Sequence, residues 1–341
     1  MPLFTGRPVY LHGTGMRVPD RVLTNEELEK TVDTTHEWIV ERTGIHTRHI
    51  AAPGELTSDL AAVAGRRALD AAGIAPDELD MIIVATNSPD TVFPAVSAKV
   101  QGMLGATSAG AFDVQSGCTG CVYALAAASA GISSGIWENV LVVGAEVLSR
   151  LIDWQDRNTC VLFGDGAGAM VLSSRSEGAV ARFLSSDLKS DGTKSDLICF
   201  PGGLVENPAS EETLAGNLHK VQMKGNEVFR FVNQALPGFL LESCEKSGIT
   251  TKEIDWWVFH QANMRIIESV LRRLEIDISK AVINLGSYGN TSAASVFIAF
   301  HEAAAEGRFE TGQKILLTSF GAGMTYGDLI LEMQGESHVR E

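Results

Sequence analysis

The chain has 341 residues, of which 45% are hydrophobic and 20% are charged, a mixture typical of a globular protein with one large domain or two fused domains. Its formal net charge of −15 argues against a nucleic-acid-binding protein, because such proteins need a basic surface to neutralise phosphates. The amino terminus has no basic segment before a long apolar run, and no stretch approaches the ~18 apolar residues that span a bilayer, so we expect a cytoplasmic protein that does not act at a membrane.

The cysteines are Cys118, Cys121, Cys160, Cys199 and Cys244. Their number is odd and their spacing shows no disulfide framework. In a chain of this size, that pattern indicates a reducing compartment.

Two long segments predict the same succession of elements. Residues 60–84 and residues 235–259 each indicate a helix, a glycine stop, a short turn with an aspartate and a buried strand. Gly73 and Gly248 mark the stop in the two segments. They are offset by 175 positions, which suggests an internal duplication.

A second pair of segments repeats at nearly the same offset. The strand-like AFDVQ leads to Gly117 and an alanine-rich helix that ends near Gly135. In the later half, AVINL leads to Gly289 and a helix that ends near Gly307. Both glycine pairs are 172 positions apart. Helix–turn–strand units resemble each other in general, but the shared order, spacing and Gly-X-Thr turn favour duplication.

Strands that alternate with helices predict mixed or parallel sheets covered by helices on both faces. We therefore predict an α/β protein of two similar halves, residues 1–175 and 176–341, packed against each other. The segment 187–213 is rich in Gly, Pro, Ser and Asp, and it predicts a loop or insertion near a binding site.

Cys118 is the strongest candidate for a catalytic residue. It lies between a predicted strand and a predicted helix, where unpaired N–H groups and positive potential lower a thiol pKa and can hold an oxyanion. The alternative is a small buried apolar cysteine. Cys118 and Cys121 form a C-x-x-C, but no second pair or suitably spaced histidine accompanies it, so we predict no metal site and keep a redox pair as a minor alternative.

His260 and Asn290 are the expected partners of Cys118. His260 follows the buried strand WWVF, at the end of a strand where α/β folds bind ligands. Asn290 holds the position equivalent to Cys118 in the second half. Taken alone, His260 could be a core histidine. The duplication nevertheless predicts that all three side chains converge on one point.

Basic residues are few, so a group of them is informative. Arg265, Arg272 and Arg273 lie on a helix predicted to begin near Asn263, and residues 265 and 272 share one face. A solvated helix face is the alternative explanation. Beside His260 on an acidic protein, the group predicts an acidic partner that carries phosphopantetheine.

Seven segments, spread along nearly the whole chain, match motifs of one known family in the same order. Through these segments the sequence resembles β-ketoacyl-acyl-carrier-protein synthase III of the thiolase superfamily. The resemblance implies a duplicated, five-layered αβαβα fold, a homodimer, and no metal or organic cofactor. The segments are DTTHEWIVERTGI (33–45), SGCTG around Cys118, DRNTCVLFGDGAGA (156–169), MKGNEVFRF (223–231), HQANMRII (260–267), GNTSAAS (289–295) and SFGAG (319–323).

The resemblance also implies a role for individual residues. Cys118 would be the nucleophile, with His260 and Asn290 assisting decarboxylation. The remaining residues fall into a coenzyme A channel, an oxyanion loop, an acyl pocket and a carrier-protein patch. Trp38 and Arg157 would sandwich the adenine of coenzyme A, and the coenzyme's path would be lined by Arg42, Asn226 and Asn263. Phe320 would stand in the active site beside the loop of Gly321, Ala322 and Gly323, which would add an N–H to the oxyanion hole. Phe93 would enter the partner subunit's acyl pocket, and the acyl carrier protein would be met by Arg265, Arg272 and Arg273.

The sequence around Cys118 departs from the family pattern at two places. Ser116 and Gly117 precede Cys118, where relatives usually have alanines. Cys121 stands where relatives usually have an aromatic residue, so we expect an acyl pocket that is enlarged or reshaped there. The starter acyl group is consequently not predicted.

The expected reaction is a decarboxylating Claisen condensation of an acyl group, taken from acyl-CoA onto Cys118, with a malonyl thioester carried by acyl carrier protein. The alternatives are a specialised relative in secondary metabolism, an acyltransferase that never decarboxylates, and a non-catalytic subunit that binds thioesters. A thiolase is disfavoured because SFGAGM has no second cysteine. A hydroxymethylglutaryl synthase is disfavoured because no glutamate is evident near the nucleophile.

Overall fold

The computed structural model describes residues 6–335, which form fourteen strands and ten α-helices joined by short 3-10 turns and loops. The strands are β1 (Tyr10–Arg17), β2 (Arg21–Thr24), β3 (Thr47–Ile50), β4 (Met81–Ala85), β5 (Gly110–Val114), β6 (Asn139–Glu146), β7 (Gly166–Ser173), β8 (Ala181–Ser190), β9 (Ile198–Cys199), β10 (Gln222–Met223), β11 (Trp256–Phe259), β12 (Ala281–Val282), β13 (Lys314–Gly321) and β14 (Thr325–Met333). The helices are α1 (Asn25–Leu28), α2 (His36–Thr43), α3 (Thr57–Ala72), α4 (Val96–Leu104), α5 (Gly120–Ser133), α6 (Glu211–Ala215), α7 (Gly225–Ser247), α8 (Met264–Arg273), α9 (Leu285–Tyr288) and α10 (Ser295–Ala305).

The main sheet shows the duplication directly. Its strand order is β12-β11-β13-β14-β8-β1-β7-β6-β4-β5. Read from each edge toward the centre, the two halves have equivalent orders: β12-β11-β13-β14-β8 corresponds to β5-β4-β6-β7-β1. In both halves three strands are parallel and the next is antiparallel. The predicted duplicated α/β fold with mixed sheets is confirmed. The two halves are joined into one sheet by a short pairing of β1 with β8, where Tyr10 and Leu11 meet Arg182 and Ala181.

Helices cover both faces of each half of the sheet and produce the expected five layers. The central layer is α5 and α10, whose buried apolar residues share one core with strands from both halves. Helix α3 covers the outer face of the first half, and α7 with α8 covers the outer face of the second. Because α5 and α10 contact a sheet on each side, their sequences are apolar nearly all round. Among residues 6–335, no helix has both the length and the apolar character needed to cross a bilayer.

The carboxyl ends of the parallel strands bring the candidate residues to one region. Cys118 follows β5, His260 directly follows β11, and Asn290 lies between β12 and α10. Ligands in open α/β sheets bind outside the carboxyl ends of strands. The fold therefore supplies a binding region at the place that the sequence predicts.

The predicted loop 187–213 is wrong at its start. Residues 187–190 continue β8 and pair with β14, where Ser190 opposes Thr325. This end of the strand is largely exposed, so it carries the polar residues that are typical of loops. Residues 191–221 hold a 3-10 helix, β9 and α6, and several of them line the cavity described below.

Candidate active site

A cavity of about 1360 Å³ opens at the carboxyl ends of these strands, and Cys118, His260 and Asn290 all line it. The cavity exceeds the usual ~300–1,000 Å³ of a small-molecule site, so a long ligand fits it. The structure thus brings together the three side chains that the sequence selects.

Cys118 lies in a tight turn two residues before α5. Gly117 has φ of +57°, and a Cβ there would lie 2.5 Å from the backbone nitrogen of Ala322, so glycine is required. Burial raises the pKa of the Cys118 thiol to about 12, and the hydroxyl of Ser292, which donates to Sγ at 3.3 Å, lowers it. The expected lowering of the thiol pKa by the helix terminus is therefore wrong, because desolvation outweighs it.

His260 is held in one orientation by a serine. Its Nδ1 lies 2.6 Å from Oγ of Ser295, and the same Oγ accepts the backbone N–H of Gln261 at 3.3 Å. The serine hydroxyl keeps its own hydrogen free to donate to Nδ1, and in that tautomer the ring proton lies on Nε2. Burial lowers the pKa of His260 to about 3. The imidazole is thus a neutral N–H donor.

Asn290 also has one end of its side chain occupied. Its Oδ1 accepts the backbone N–H of Ser292 at 2.8 Å, and its backbone pairs with Leu162 and Gly164. The two hydrogens on Nδ2 remain for a molecule in the cavity. Asn290 and His260 therefore both offer neutral N–H donors, and Ser292 and Ser295, which orient them, follow in the same GNTSAAS segment.

The end of β13 and the loop that follows it pack against Cys118. Phe320 lies edge-on to His260, with ring centroids 5.2 Å apart, and it lines the cavity with Gly321, Ala322 and Gly323. A Cβ on Gly321 would lie 2.4 Å from the backbone nitrogen of Cys118. The backbone of this loop and that of Cys118 thus come close enough to act on one bound oxygen.

The predicted coenzyme A residues line the same cavity. These are Trp38, Arg42, Arg157, Asn226 and Asn263. The guanidinium carbon of Arg157 is 5.2 Å from the Trp38 ring centre, and that of Arg42 is 5.8 Å away. A base between Trp38 and Arg157 needs about 7 Å, two contact distances of ~3.5 Å. Binding between them therefore requires Arg157 to withdraw by about 2 Å.

The start of α8 is tied to the end of α2. Asn263 caps α8 by accepting the Arg265 N–H at 2.9 Å, and it donates to the carbonyl of Arg42 at 3.1 Å. Arg265 lines the cavity and pairs with Glu41 at 3.3 Å. Arg272 and Arg273 are exposed in the last turn of α8 and lie outside the cavity lining.

Phe93 and Cys121 are not among the lining residues. Phe93 is 83% exposed, although its neighbours Thr91 and Val92 reach the cavity. Cys121 is buried in the central core, with its thiol pKa raised to about 12 by burial. A reshaped acyl pocket at Cys121 and an acyl contact by Phe93 stay predictions.

A buried carboxylate lies near Cys118 and was not expected from the sequence. Glu146, at the end of β6, is fully buried and raises the pKa of Cys118. Hydrogen bonds connect it to Cys118 through Asn87 and Ser292. The residue is about 30 positions from Cys118 in sequence, and only the parallel pairing of β4 with β6 brings it close.

Comparison with known proteins identifies the family. The family model described as 3-oxoacyl-[acyl-carrier-protein (ACP)] synthase III matches residues 112–192, and its C-terminal counterpart matches residues 244–333. A beta-ketoacyl-[acyl-carrier-protein] synthase III of Desulfitobacterium hafniense is 48% identical over 94% of this chain and 96% of its own length. The chain belongs to the 3-oxoacyl-[acyl-carrier-protein] synthase III family.

Other members agree in sequence and in structure. The synthase III of Symbiobacterium thermophilum is 48% identical, over 95% of this chain and 98% of its own. The crystal structure of 3-oxoacyl-[acyl-carrier-protein] synthase III from Aquifex aeolicus superposes with a TM-score of 0.87 at 41% identity, covering 95% of this chain and 99% of that one. The chain is thus a condensing acyltransferase of the synthase III type, with that family's fold.

Proposed function

We propose that this protein catalyses the initiating condensation of fatty-acid biosynthesis, joining an acyl group held on Cys118 to a malonyl group carried by acyl carrier protein. One observation carries the proposal: a thiol and two oriented N–H donors line one long cavity. Membership of the synthase III family supports it, since the matches extend over almost the full chain. The alternatives from secondary metabolism, and a non-catalytic subunit, are not favoured.

The first half-reaction loads the enzyme. The Cys118 sulfur attacks the thioester carbonyl of acyl-CoA, the acyl–sulfur bond to coenzyme A breaks, and the thiol proton leaves with the coenzyme's sulfur. The negative oxygen of the tetrahedral intermediate accepts the N–H of Cys118 and an N–H of the Gly321–Gly323 loop. Such preorganised donors contribute about 3–4 kcal/mol each.

The second half-reaction forms the carbon–carbon bond. The malonyl thioester loses CO2, and the electron pair passes into an enolate whose oxygen accepts hydrogen bonds from Nε2 of His260 and Nδ2 of Asn290. The enolate carbon attacks the acyl carbonyl, and Cys118 leaves as the thiolate. Neutral donors suit this step, because they stabilise the enolate oxygen without protonating the carbon that must attack.

We also propose that two copies assemble, each lending Phe93 to the other's acyl pocket. In a single copy Val92 is 72% exposed and Phe93 is 83% exposed, and both lie beside the cavity mouth. Adjacent exposed apolar side chains of this size are typical of an interface with another chain. A solution mass equal to one chain, measured by light scattering, would exclude this arrangement.

Incubation with acetyl- through decanoyl-CoA, followed by mass spectrometry of the intact protein and its peptides, tests the loading step. We expect one acyl group on the peptide that contains Cys118, and the preferred chain length identifies the starter. Cys118→Ala should remove the mass gain. Cys244→Ala, which alters a cysteine of α7 that does not line the cavity, is the control and should retain it. Addition of malonyl-acyl carrier protein to the loaded enzyme should then give a β-ketoacyl carrier protein and CO2.

Two results would contradict the proposal. An unmodified Cys118 with every acyl-CoA would favour a subunit that only binds thioesters. Loading followed by release of the acyl group to another acceptor, without CO2, would favour simple acyl transfer.

A further inference from the structure

A chain of hydrogen bonds joins the nucleophile to the buried Glu146. The hydroxyl of Ser292 donates to Sγ of Cys118 at 3.3 Å, and its oxygen accepts from Nδ2 of Asn87 at 3.2 Å. The same Nδ2 donates to Glu146 Oε1 at 2.8 Å. The half-reactions above use none of Ser292, Asn87 or Glu146.

Glu146 fixes the direction of this chain. Its carboxylate accepts the backbone N–H of Asn87 at 3.0 Å and the hydroxyls of Thr86 and Ser88 at 3.3 and 2.5 Å. Every one of these groups donates, so Asn87 must turn its amino group, not its oxygen, toward Glu146 and Ser292. Because Ser292 then accepts from Asn87, its own hydrogen points at the Cys118 sulfur.

We propose that Ser292 is the donor that stabilises the Cys118 thiolate, and that Asn87 and Glu146 are positioning residues that hold its hydroxyl in the donating direction. The inference rests on Cys118 as the nucleophile of the proposed function. The thiolate needs such a donor because the imidazole of His260 is neutral and its Nδ1 is bonded to Ser295.

The other titratable groups near the sulfur do not replace this hydrogen bond. Glu146, from β6, disfavours the thiolate through its charge, and Cys121, below it on α5, is itself a buried thiol. His260, after β11, lines the same cavity as a neutral ring. Ser292 is the one side chain whose hydrogen bond favours the thiolate in the part of the chain that the structure describes.

The rate at which iodoacetamide alkylates Cys118, followed by mass spectrometry of its peptide between pH 7 and pH 10, tests the inference. In Ser292→Ala we expect a rate about tenfold lower at each pH, because a hydrogen bond to a charged group is lost. A merely structural role for Ser292 would give the opposite result, since a loosened site exposes the half-buried Cys118 thiol further and speeds alkylation. Ser319→Ala is the matched control: its hydroxyl donates to the Cys118 carbonyl at 2.8 Å and not to the sulfur, so its rate should stay unchanged.

Asn87→Ala provides a second and independent variant. It should slow alkylation in the presence of Ser292 and have no further effect in the Ser292→Ala background, because Asn87 acts through Ser292. Alkylation of Ser292→Ala as fast as that of the unaltered protein, or full additivity of the two substitutions, would overturn the inference. The assay contains no thioester, so a Ser292-dependent thiol that acyl-CoA does not acylate would contradict the proposed function alone.

Discussion

The chemistry of this site depends on which atom of each polar side chain is already occupied. The hydroxyl of Ser295 is hydrogen-bonded to Nδ1 of His260, and the backbone N–H of Ser292 donates a hydrogen bond to Oδ1 of Asn290. Both residues are consequently left with N–H donors directed at one cavity, and neither has to reorient when negative charge develops. Preorganisation of this kind acts on the transition state, because no solvent or side chain must be rearranged during the reaction.

Asn290→Ala should separate the two half-reactions. Loading of Cys118 uses backbone donors and should proceed at the normal rate, whereas condensation loses one enolate donor and should slow by about 10²–10³-fold. Acyl-enzyme formation and CO2 release, measured in single turnovers, give the two rates. Asn284→Ala is the control, because that residue donates to Glu302 at 2.9 Å and does not line the cavity. Normal CO2 release by Asn290→Ala would contradict its role.

The positions of Cys118 and Asn290 near strand ends were predictable from the sequence, but the protonation state of the thiol was not. The strand–glycine–helix pattern identifies Cys118, and duplication identifies Asn290, because both signals are local or periodic. The thiol pKa depends on how much water the folded chain excludes, which no local pattern records. Glu146 and Asn87 were missed for a related reason: each lies at the end of a different strand, and only the sheet brings them near Ser292.

At the scale of elements, the end of β13 and the loop after it pack against the turn before α5, and the close backbone approach requires glycine on both sides. Gly117 faces Ala322, and Gly321 faces Cys118, each with too little space for a Cβ. The SFGAG and SGCTG motifs, which begin 203 positions apart at Ser319 and Ser116, therefore specify one contact between the two halves. Sequence supplied both motifs, but the contact depends on how the halves pack.

Gly321→Ala should displace the nucleophile. The added Cβ would lie 2.4 Å from the Cys118 nitrogen and 3.0 Å from its Cβ, so one of the two backbones must shift. We expect acyl loading to fall at least tenfold, with a loss of about 1–3 kcal/mol in the free energy of unfolding. Gly102→Ala, in α4 with open space around it, is the control and should be neutral or slightly stabilising. Normal loading by Gly321→Ala would exclude a tight contact.

The packing of α7 on β14 contains a buried carboxyl with a raised pKa. Asp328 is fully buried, and Oδ1 accepts the hydroxyl of Ser243 at 2.8 Å. Oδ2 has no partner within the described residues. Desolvation, with a contribution from the charge of Asp187, raises the Asp328 pKa to about 7, although the hydrogen bond from Ser243 and, to a smaller extent, Lys246 lower it. The folded state thus holds a proton that the unfolded chain releases near pH 4.

Asp328→Asn should therefore stabilise the protein at high pH. The contribution of the protonated carboxyl is fully present below pH 4 and is lost as the pH rises through about 7, whereas the amide does not titrate. We expect a gain of about 1 kcal/mol at pH 4.5 and of about 4 kcal/mol at pH 8. Thermal melting at both pH values measures this. An equal change at the two values would show that Asp328 is ionised throughout.

At the scale of the whole molecule, charge distribution bears on the choice of partner. The net charge of −15 repels an acidic carrier protein, so docking requires a local cationic area. Arg265, at the cavity mouth, is already paired with Glu41, whereas Arg272 and Arg273 are both exposed about two turns further along α8. This distribution favours the latter two as the residues that attract the carrier.

Replacing both arginines, Arg272→Glu with Arg273→Glu, should raise KM for malonyl-acyl carrier protein by about tenfold at low salt, because two favourable charges become repulsive. Malonyl-CoA enters the same cavity without a carrier protein, so its KM should not change. Added salt should narrow the difference between variant and unaltered enzyme, since exposed charges are screened beyond ~10 Å at 0.1 M. Arg182→Glu, an exposed arginine on β8 outside the cavity, is the matched control. An equal rise in KM for both malonyl thioesters would mean that the substitutions disturb the cavity itself and that the carrier docks elsewhere.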